Sequence, residues 1–230
     1  MAIAYPSDKE AKALILEMGR RAYEKGFVAS NDGNLTCKVS ADTLWTTPTG
    51  VSKGYMTEEM LIKTNLKGEI LEGTHKPSSE LKMHLRVYQE NPEAGAVVHT
   101  HPLTATAFAI AGIPLEDAIL PEGVVQLGVV PCAKFAMPGS QAVPDSIAPY
   151  CKDYNAVLLG NHGAVTWGKD LQQAFMRMES LEYYAQIILL NRFVMKKAQV
   201  ITESELDELI QIRTSLGIMT GGRPKPWGIS

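Results

Sequence analysis

The amino-acid sequence predicts an α/β sandwich, one domain in which helices pack on a β-sheet. Apolar residues at helical spacing alternate along the chain with short β-branched stretches, the pattern of helices interleaved with buried strands. No fixed-period repeat, low-complexity tract or linker-like change in composition divides the 230 residues. We therefore expect one domain over residues 1–220, followed by an irregular, Gly- and Pro-rich tail over residues 221–230.

The first part of the chain predicts two long helices with strands between them. Ser7 is suited to cap the first helix, apolar residues then recur at helical spacing, and Gly26 ends it. Turn-forming residues and β-branched runs define the elements that follow. In order, these are strands at 35–39 and 44–46, a loop at 47–50, a short helix capped by Thr57, a strand and turn over 62–70, and a helix from 77–80 to about residue 90.

The second part predicts buried strands that alternate with helices. Residues 96–101 form a buried strand that Pro102 stops, and residues 156–159 form another that ends at a Gly-containing turn. Thr202 and Glu205 have the spacing of a capping box, which begins the last helix. The remaining predicted elements are helices at 104–111, from 138–140 toward 151 and at 170–198, and strand segments at 124–127 and 129–130.

Charge and cysteine content limit the partners and the compartment. With 22 Lys and Arg against 25 Asp and Glu, the formal net charge is −3, so no strong positive field is available to bind nucleic acid. The apolar stretches are far shorter than the roughly 20 residues that cross a membrane, and the N-terminal sequence lacks a signal-peptide pattern. The 3 scattered cysteines form no disulfide framework or thiolate zinc site. We expect a cytoplasmic protein.

A group of histidines is the strongest chemical signal in the sequence. His99 and His101 lie two positions apart on a predicted strand, so both imidazoles point to the same face. His162 follows another buried strand, and the three imidazoles converge if those two strands lie close together. Three histidines with an open fourth position are typical of a catalytic zinc site. The alternative is that they are hydrogen-bonded structural residues; for His84 a structural role near the site is the first interpretation and ligation the second.

Small polar loops provide a candidate anion site. Residues 78–80, Ser-Ser-Glu, begin a helix whose N-terminus can hold a phosphate, although the same residues are also common as a plain helix cap. Two further loops, at residues 32–34 and 48–50, contain glycine and allow the backbone to approach an oxyanion. Lys53 follows the second loop and is interpreted as a solvated lysine, with a contribution to the phosphate site as the alternative.

Five ordered motifs resemble the class II aldolase/adducin family. They are Gly33-Asn34-Leu35-Thr36, Thr47-Pro48-Thr49-Gly50, Pro77-Ser78-Ser79-Glu80, Val98-His99-Thr100-His101-Pro102 and Gly160-Asn161-His162-Gly163. The resemblance covers about residues 8–200. It implies a single α/β domain with a central, mainly antiparallel β-sheet flanked by helices, and a C4 homotetramer with active sites at the subunit boundaries.

The resemblance also implies roles for individual residues. Zinc, or another divalent ion such as Co²⁺ or Mn²⁺, would be held by His99, His101 and His162. Glu80 would be the catalytic acid/base and would occupy the fourth metal position before substrate arrives. The residues that match phosphate-binding positions are Asn34, Thr49, Gly50, Ser78 and Ser79.

The implied activity is cleavage of a phosphorylated sugar, L-fuculose 1-phosphate or a similar small ketose such as 5-deoxyribulose 1-phosphate, to dihydroxyacetone phosphate and an aldehyde. Zinc would stabilise the enediolate, and Glu80 would move a proton at carbon. Glutamate at this position favours an aldolase over the related pentulose-phosphate 4-epimerases, which typically have aspartate there. A decarboxylase of a phosphorylated 3-oxo acid would use the same chemistry, and a non-catalytic, adducin-like protein is the alternative from another class.

Two tyrosines of the fuculose-type aldolases have no counterpart. Residues 118–131 contain no tyrosine, and Glu122 is the residue in that segment that would reach a neighbouring subunit's site instead. The tail ends in Trp227-Gly228-Ile229-Ser230 and offers no matching tyrosine either. These differences leave the aldehyde part of the substrate open.

Overall fold

The computed structural model describes residues 4–228, so residues 1–3 of the predicted domain and 229–230 of the predicted tail lie outside the described residues. The helices are α1 (Asp8–Glu24), α2 (Leu81–Glu90), α3 (Leu103–Ala111), α4 (Pro121–Gln126), α5 (Ala142–Ile147), α6 (Leu171–Leu189) and α7 (Glu203–Ser215). The strands are β1 (Asn34–Lys38), β2 (Thr43–Thr46), β3 (Ile62–Asn65), β4 (Ile70–Glu72), β5 (Ala96–Thr100), β6 (Asp117–Ala118), β7 (Cys132–Ala133), β8 (Ala156–Leu159), β9 (Gly163–Gly168) and β10 (Lys225–Pro226).

An 8-stranded sheet lies at the centre of the described chain, in the order β4-β3-β2-β1-β5-β9-β8-β7. All neighbouring strands pair antiparallel except β7 and β8, which are parallel. β10 pairs in parallel with β6 in a separate ribbon. The predicted α/β fold, with a central, mainly antiparallel sheet and flanking helices, is therefore confirmed.

Helices cover both faces of the sheet. Side chains alternate along its strands, so each strand contributes apolar residues to both layers. On β5, Ala96 and Val98 face a core that contains residues of α1, α3 and α6. Val97, between them, faces a second core that contains residues of α2 and α5. The continuous apolar run of this strand thus reflects burial on both faces.

Capping boxes begin the first and the last helix. The Ser7 hydroxyl accepts a hydrogen bond from the backbone N–H of Glu10 at 3.3 Å, and the Glu10 carboxylate accepts one from the Ser7 N–H at 2.8 Å. Thr202 and Glu205 make the same two bonds at the start of α7. Gly26 follows α1 with a φ of 68°, the left-handed conformation that ends helices. Both predicted helix starts are confirmed.

The strand predicted at residues 124–127 is wrong, because these residues lie in and just after α4. Pro121 begins this helix, where its missing N–H is not needed. Gly123 allows a close approach to α6, since a Cβ there would lie 2.9 Å from the Tyr184 ring. Val124 is buried against α7 in a small core. Tertiary packing therefore overrides the β-propensity of the two valines. The strand predicted at 129–130 is reduced to one isolated bridge, from Val130 to Leu115.

Strand β9 is absent from the prediction. It begins and ends with glycine, and only Val165 and Thr166 in it are β-branched, so its local β-signal is weak. Its hydrogen-bond partners on both sides, β5 and β8, hold it in the middle of the sheet. This strand is essential to the site described below, because it separates the two strands that carry the histidines.

Several predicted element ends differ in the structure. Thr57 precedes only a 3-10 turn, Glu58–Met60, and its side chain makes no capping bond. The helix predicted over 170–198 is α-helical to Leu189 and continues as a π-helical segment, Leu190–Met195. The tail contains β10 instead of being wholly irregular; its separation from a domain over 1–220 stays a prediction. Within residues 4–228, no helix combines the length and the hydrophobicity needed to cross a membrane.

Candidate active site

The candidate site lies at one end of the central strands of the sheet, where β5 ends and where β1 and β9 begin. In the sheet, His99 of β5 is opposite Asn34 of β1 and Val165 of β9. His162 lies in the turn between β8 and β9, where Asn161 adopts a left-handed φ of 57°. The two strands that carry the histidines in the sequence prediction are not neighbours. β9 lies between β5 and β8, and its start brings His162 beside the end of β5.

The three predicted metal ligands converge at this end of the central strands. The ring centroids of His99, His101 and His162 are 4.8–5.0 Å apart, and one nitrogen from each ring lies within 4.8 Å of the others. Gly163 makes the convergence possible, since a Cβ at this position would lie 2.5 Å from the His101 ring. The shared face that the spacing of His99 and His101 predicts is present in the structure.

Contacts on the outer side of two rings direct nitrogen lone pairs into the cluster. His99 Nδ1 lies 2.9 Å from the Ala164 carbonyl oxygen and donates to it, so Nε2 of the neutral ring is unprotonated. His99 Nε2 in turn lies 3.1 Å from His101 Nε2. His101 Nδ1 is 3.6 Å from the Asp32 carboxylate, which favours a proton on that side of the ring. Both Nε2 atoms are therefore available as ligands.

Burial keeps two of the three imidazoles neutral. It lowers the pKa of His101 to about 3, and the charges of His99 and His162 add to the effect. Burial, followed by the charge of His99, also lowers the pKa of His162. Burial lowers the pKa of His99 as well, but the adjacent Glu80 carboxylate outweighs it and leaves that pKa above its ordinary value. Neutral imidazole is the form that binds a metal ion.

Glu80, at the start of α2, completes the cluster. Its Oε2 lies 3.3 Å from His99 Nε2, and its Oε1 lies 3.3 Å from His162 Nε2. Asn34 Nδ2 donates to Oε2 at 3.0 Å, whereas Oε1 is buried and has no hydrogen-bond partner among the described residues. Burial raises the pKa of this carboxyl, but the charges of His99 and His162 and the bond from Asn34 hold it well below its usual range.

These donor atoms fit a tetrahedral divalent metal. Zinc bonds of roughly 2.0–2.1 Å to nitrogen and oxygen place neighbouring ligand atoms about 3.3 Å apart. His99 Nε2 and His101 Nε2 are 3.1 Å apart, and each Glu80 oxygen has this spacing toward one histidine: Oε2 is 3.3 Å from His99 Nε2 and Oε1 is 3.3 Å from His162 Nε2. A metal ion would also satisfy the unpartnered Glu80 Oε1. Three imidazoles and one displaceable carboxylate suit Zn²⁺ and several other divalent ions.

The loops that carry the predicted phosphate-binding residues are joined to one another next to Glu80. Backbone hydrogen bonds connect Thr49 N to Lys76 O at 3.0 Å and Ser78 N to Thr47 O at 3.4 Å. The loop at 47–50 and the start of α2 therefore form one continuous surface. The predicted phosphate-binding residues Thr49, Gly50, Ser78 and Ser79 are accessible on this surface.

Two residues, Asn34 and Lys53, have surroundings that the sequence did not predict. Asn34 is 3% exposed and directs its side chain to Glu80 instead of to the open loop surface. The prediction that Lys53 is solvated is wrong: it is 1% exposed, and its Nζ donates to the Asn31 and Val51 carbonyl oxygens at 2.9 and 2.6 Å. These two hydrogen bonds connect the residues that flank the glycine-containing loops at 32–34 and 48–50. Glu122 is exposed in the first turn of α4, and its role toward a neighbouring subunit stays a prediction.

Comparison with known proteins identifies the family. Residues 13–189 match the Class II Aldolase and Adducin N-terminal domain. The chain belongs to the class II aldolase and adducin family. The resemblance carried by the five sequence motifs is therefore confirmed, and the three-histidine group is the candidate metal site of this family member.

The named relatives of this class II aldolase family member include two kinds of enzyme, decarboxylases and aldolases. A 3-oxo-tetronate 4-phosphate decarboxylase from Pectobacterium atrosepticum is 34% identical over 209 residues, which cover 88% of this chain and 94% of that protein. An L-fuculose phosphate aldolase from Methanococcus maripaludis is 33% identical over 172 residues, which cover 75% of this chain and 92% of that protein. A solved structure of an L-fuculose 1-phosphate aldolase has a TM-score of 0.83 at 26% identity and covers 92% of this chain and 100% of that chain. Both names describe lyases.

Proposed function

We propose that this chain is a metal-dependent carbon–carbon lyase that cleaves a small ketose 1-phosphate to dihydroxyacetone phosphate and an aldehyde. The observation that carries the proposal is the Glu80 carboxylate, 3.3 Å from nitrogens of two histidines of the three-histidine group. This arrangement provides an acid/base beside a metal site. Both groups serve the formation and protonation of a carbanion next to a carbonyl.

His99, His101 and His162 would hold the metal, with Glu80 as the group that substrate displaces. We favour Zn²⁺, because three nitrogen ligands and one exchangeable position are typical of catalytic zinc, although Co²⁺ and Mn²⁺ also bind such sites. When bound, the ion supplies Lewis-acid stabilisation of negative charge on the substrate's carbonyl oxygen. The remaining tasks, which are phosphate binding and proton transfer, fall to side chains and backbone groups of the protein.

Glu80 would carry the proton at carbon. Breaking the C3–C4 bond of the ketose, with removal of the C4 hydroxyl proton by a base, releases C4 as an aldehyde and leaves the bonding electron pair on C3, conjugated with the C2 carbonyl. Glu80 then passes a proton taken up from water to C3, which gives dihydroxyacetone phosphate and returns the carboxylate. In the reverse direction the carboxylate removes the same proton. The lowered pKa of Glu80 keeps the carboxylate form that this reverse step requires.

The surface formed by the loop at 47–50 and the start of α2 would bind the substrate phosphate. Gly50 has a φ of 72°, a left-handed backbone conformation that residues with a Cβ rarely adopt. Backbone N–H groups and serine hydroxyls are suitable donors to a phosphate. Binding this remote group would hold the reacting carbons next to Glu80, so that the binding energy of the phosphate contributes to catalysis.

Decarboxylation of a phosphorylated 3-oxo acid is the second candidate. Loss of carbon dioxide from a 3-oxo-tetronate 4-phosphate leaves the same carbanion of dihydroxyacetone phosphate, so the same residues would serve. The match that covers 94% of a decarboxylase of this name supports it. So does the lack of tyrosine in residues 118–131, because aldol cleavage needs a base for the C4 hydroxyl and decarboxylation does not. For aldol cleavage, Glu122 from a neighbouring copy is the candidate base.

The test is the release of dihydroxyacetone phosphate from a panel of substrates, each assayed with and without a chelator. The panel contains L-fuculose 1-phosphate, 5-deoxyribulose 1-phosphate, other short ketose 1-phosphates, pentulose 5-phosphates and a 3-oxo-tetronate 4-phosphate. Chelator-sensitive release with an aldehyde supports the aldolase, and release with carbon dioxide supports the decarboxylase. An isomerised pentulose phosphate without free dihydroxyacetone phosphate indicates a 4-epimerase. No metal-dependent turnover of any substrate contradicts the lyase and favours a non-catalytic protein.

A further inference from the structure

A continuous line of buried hydrogen bonds leads from Glu80 into the core between α2 and β1. Asn34 Nδ2 lies 3.0 Å from Glu80 Oε2, and Asn34 Oδ1 lies 2.6 Å from His84 Nε2. His84 Nδ1 lies 2.9 Å from Thr36 Oγ1, which is 2.7 Å from the Tyr88 hydroxyl. The residues behind Glu80 are closed to solvent: His84 is 0%, Thr36 1%, Asn34 3% and Tyr88 4% exposed.

The spacing of these residues explains why they meet. Glu80, His84 and Tyr88 are four positions apart in sequence. His84 and Tyr88 therefore lie on one face of α2, and Glu80, the N-cap residue of the helix, lies on the same side. Asn34 and Thr36 are two positions apart on β1 and therefore face the same side of the sheet. One polar helix face thus packs on one polar strand face in an otherwise apolar interior. Each buried polar atom of such a contact needs a partner, which the line provides.

The carboxylate fixes the direction of every bond in the line. A carboxylate only accepts, so Asn34 directs its NH₂ group to Glu80 and its carbonyl oxygen to His84. That oxygen also only accepts, so His84 carries a proton on Nε2. Burial lowers the pKa of His84 to about 3, so the ring is neutral and its Nδ1 accepts from the Thr36 hydroxyl. The Tyr88 hydroxyl then donates to Thr36 Oγ1.

We propose that His84 is a positioning residue, which holds the Asn34 amide so that Asn34 fixes the Glu80 carboxylate against the imidazoles of the metal site. The inference rests on the proposed function, in which Glu80 moves a proton at carbon. It assigns the Asn34 side chain to the acid/base instead of to the substrate phosphate. Both ring nitrogens of His84 are engaged in the line, so His84 is not a metal ligand.

Two substitutions of His84 separate positioning from a general loss of structure. In His84→Gln the side-chain amide nitrogen takes the place of Nε2 and still donates to Asn34. In His84→Asn the shorter side chain keeps a polar partner for Thr36 but not for Asn34. We expect His84→Asn to lower kcat about 10–100-fold, the usual effect of removing an outer hydrogen-bond partner, and His84→Gln to recover most of it. KM and the inhibition constant of inorganic phosphate should stay unchanged in both, as should metal content.

The opposite kinetic pattern overturns the proposal. If His84→Asn kept kcat and raised KM and the phosphate inhibition constant, the line would serve the phosphate site. Equal losses in His84→Gln and His84→Asn would also contradict it, because the donor to Asn34 is present in only one of them.

A measurement on the unmodified, metal-loaded protein keeps the inference testable if the variants fail to fold. Imidazole ¹⁵N NMR, with the His84 signals assigned by through-bond correlation, reports the tautomer directly. We expect the neutral ring with its proton on Nε2; a proton on Nδ1 or a charged ring overturns the line. This readout needs no substrate. A wild-type protein that turns over nothing therefore contradicts the proposed function and leaves the NMR result to decide the role of His84.

Discussion

At the scale of single residues, hydrogen-bond direction decides which groups of the site can bind metal and which can move a proton. His99 donates from Nδ1 to a backbone carbonyl and so presents the lone pair of Nε2 to the cluster. Glu80 faces that nitrogen with a carboxylate whose second oxygen has no hydrogen-bond partner among the described residues. The residue types alone allow many roles, and these contacts restrict them.

Gly163→Ala tests the close packing that brings the histidines together. A Cβ on Gly163 would lie 2.5 Å from His101 Cδ2 and 2.8 Å from the Thr100 carbonyl oxygen, so the His101 ring must move. We expect the affinity for Zn²⁺ to fall about 10–100-fold, measured by competition with a chromophoric chelator. The control is Gly112→Ala, which strains a left-handed glycine with open space around it and should keep its zinc affinity. Unchanged affinity in Gly163→Ala would contradict the packing argument.

Some residues of the site were predictable and others were not, for physical reasons. His99 and His101 were predictable because two-residue spacing on a strand places both side chains on one face. The burial of Lys53 was not, because the Asn31 and Val51 carbonyl oxygens that hold its ammonium come from loops 22 and 2 residues away in the chain. The contact of Asn34 with Glu80 likewise joins groups 46 residues apart.

At the scale of elements, Asp8 connects helix α1 to the sheet. Its carboxylate accepts from the buried Trp45 indole at 2.7 Å and from Lys63 Nζ at 2.9 Å. The hydrogen bond from Lys63, followed by that from Trp45, lowers the pKa of Asp8. A carboxyl with a lowered folded-state pKa stabilises the protein above its unfolded pKa, and this contribution is lost as the pH falls through the folded-state value.

Asp8→Asn should therefore destabilise the protein in a pH-dependent way. We expect a loss of about 1 kcal/mol or less at pH 7, because Asp8 is largely exposed and its ion pair is screened. The difference from wild type should shrink toward zero once the pH is well below 4. Chemical denaturation at several pH values measures it, with Glu17→Gln, an exposed change on the same helix, as the control. A difference that grows as the pH falls would refute the argument.

The elements that sequence patterns predicted are those with strong local signals. The capping boxes of α1 and α7 and the apolar run of β5 are of this kind. The weak signal of β9 is compensated by strand partners on both sides, and α4 is helical despite its two valines because it packs on α6 at Gly123 and on α7 at Val124. Such information is contained in tertiary contacts and not in the local sequence. Because the sequence did not predict β9, it predicted the convergence of the three histidines only on the condition that their two strands lie close together.

At the scale of the whole molecule, the metal should contribute to stability. The ligands come from the end of β5 and the β8–β9 turn, so an ion that joins them binds only the folded chain. At a free Zn²⁺ concentration 100 times Kd, the expected gain is about 2.7 kcal/mol. Calorimetry should show a Tm that falls on chelation and returns with zinc, by roughly 2–4 °C per kcal/mol. A variant with alanine at His99, His101 and His162 should not respond, and an equal response in that variant would place the zinc elsewhere.

Three exposed apolar side chains are candidates for the subunit interface of the C4 homotetramer that the family resemblance implies. Leu103, Phe135 and Met137 are 81%, 57% and 64% exposed. Leu103 follows His101 by two residues, and Phe135 belongs to the segment that lines a cleft beside His162. We expect neighbouring copies to cover Leu103 and Phe135, because the family resemblance implies active sites at the subunit boundaries.

Light scattering after gel filtration tests the assembly. We expect four times the mass of the 25.1 kDa chain for the wild type. Leu103→Glu should lower the mass, because it places a charge in the expected interface. Met219→Glu changes a side chain that is 77% exposed near the C-terminus and serves as the control. A wild type that elutes as a single chain would contradict the expected assembly.

Deuterium exchange into dihydroxyacetone phosphate tests the central claim most directly, because both candidate lyase reactions share its carbanion. In D₂O the metal-loaded protein should replace one hydroxymethyl proton of this compound with deuterium, followed by ¹H NMR. Chelation should stop the exchange, and Glu80→Gln should slow it about 10²–10⁴-fold while retaining metal. Glu24→Gln, at an exposed position, should exchange as the wild type does. Exchange by the wild type at the uncatalysed rate, or by Glu80→Gln at the wild-type rate, would contradict the role of Glu80 as the acid/base beside the metal.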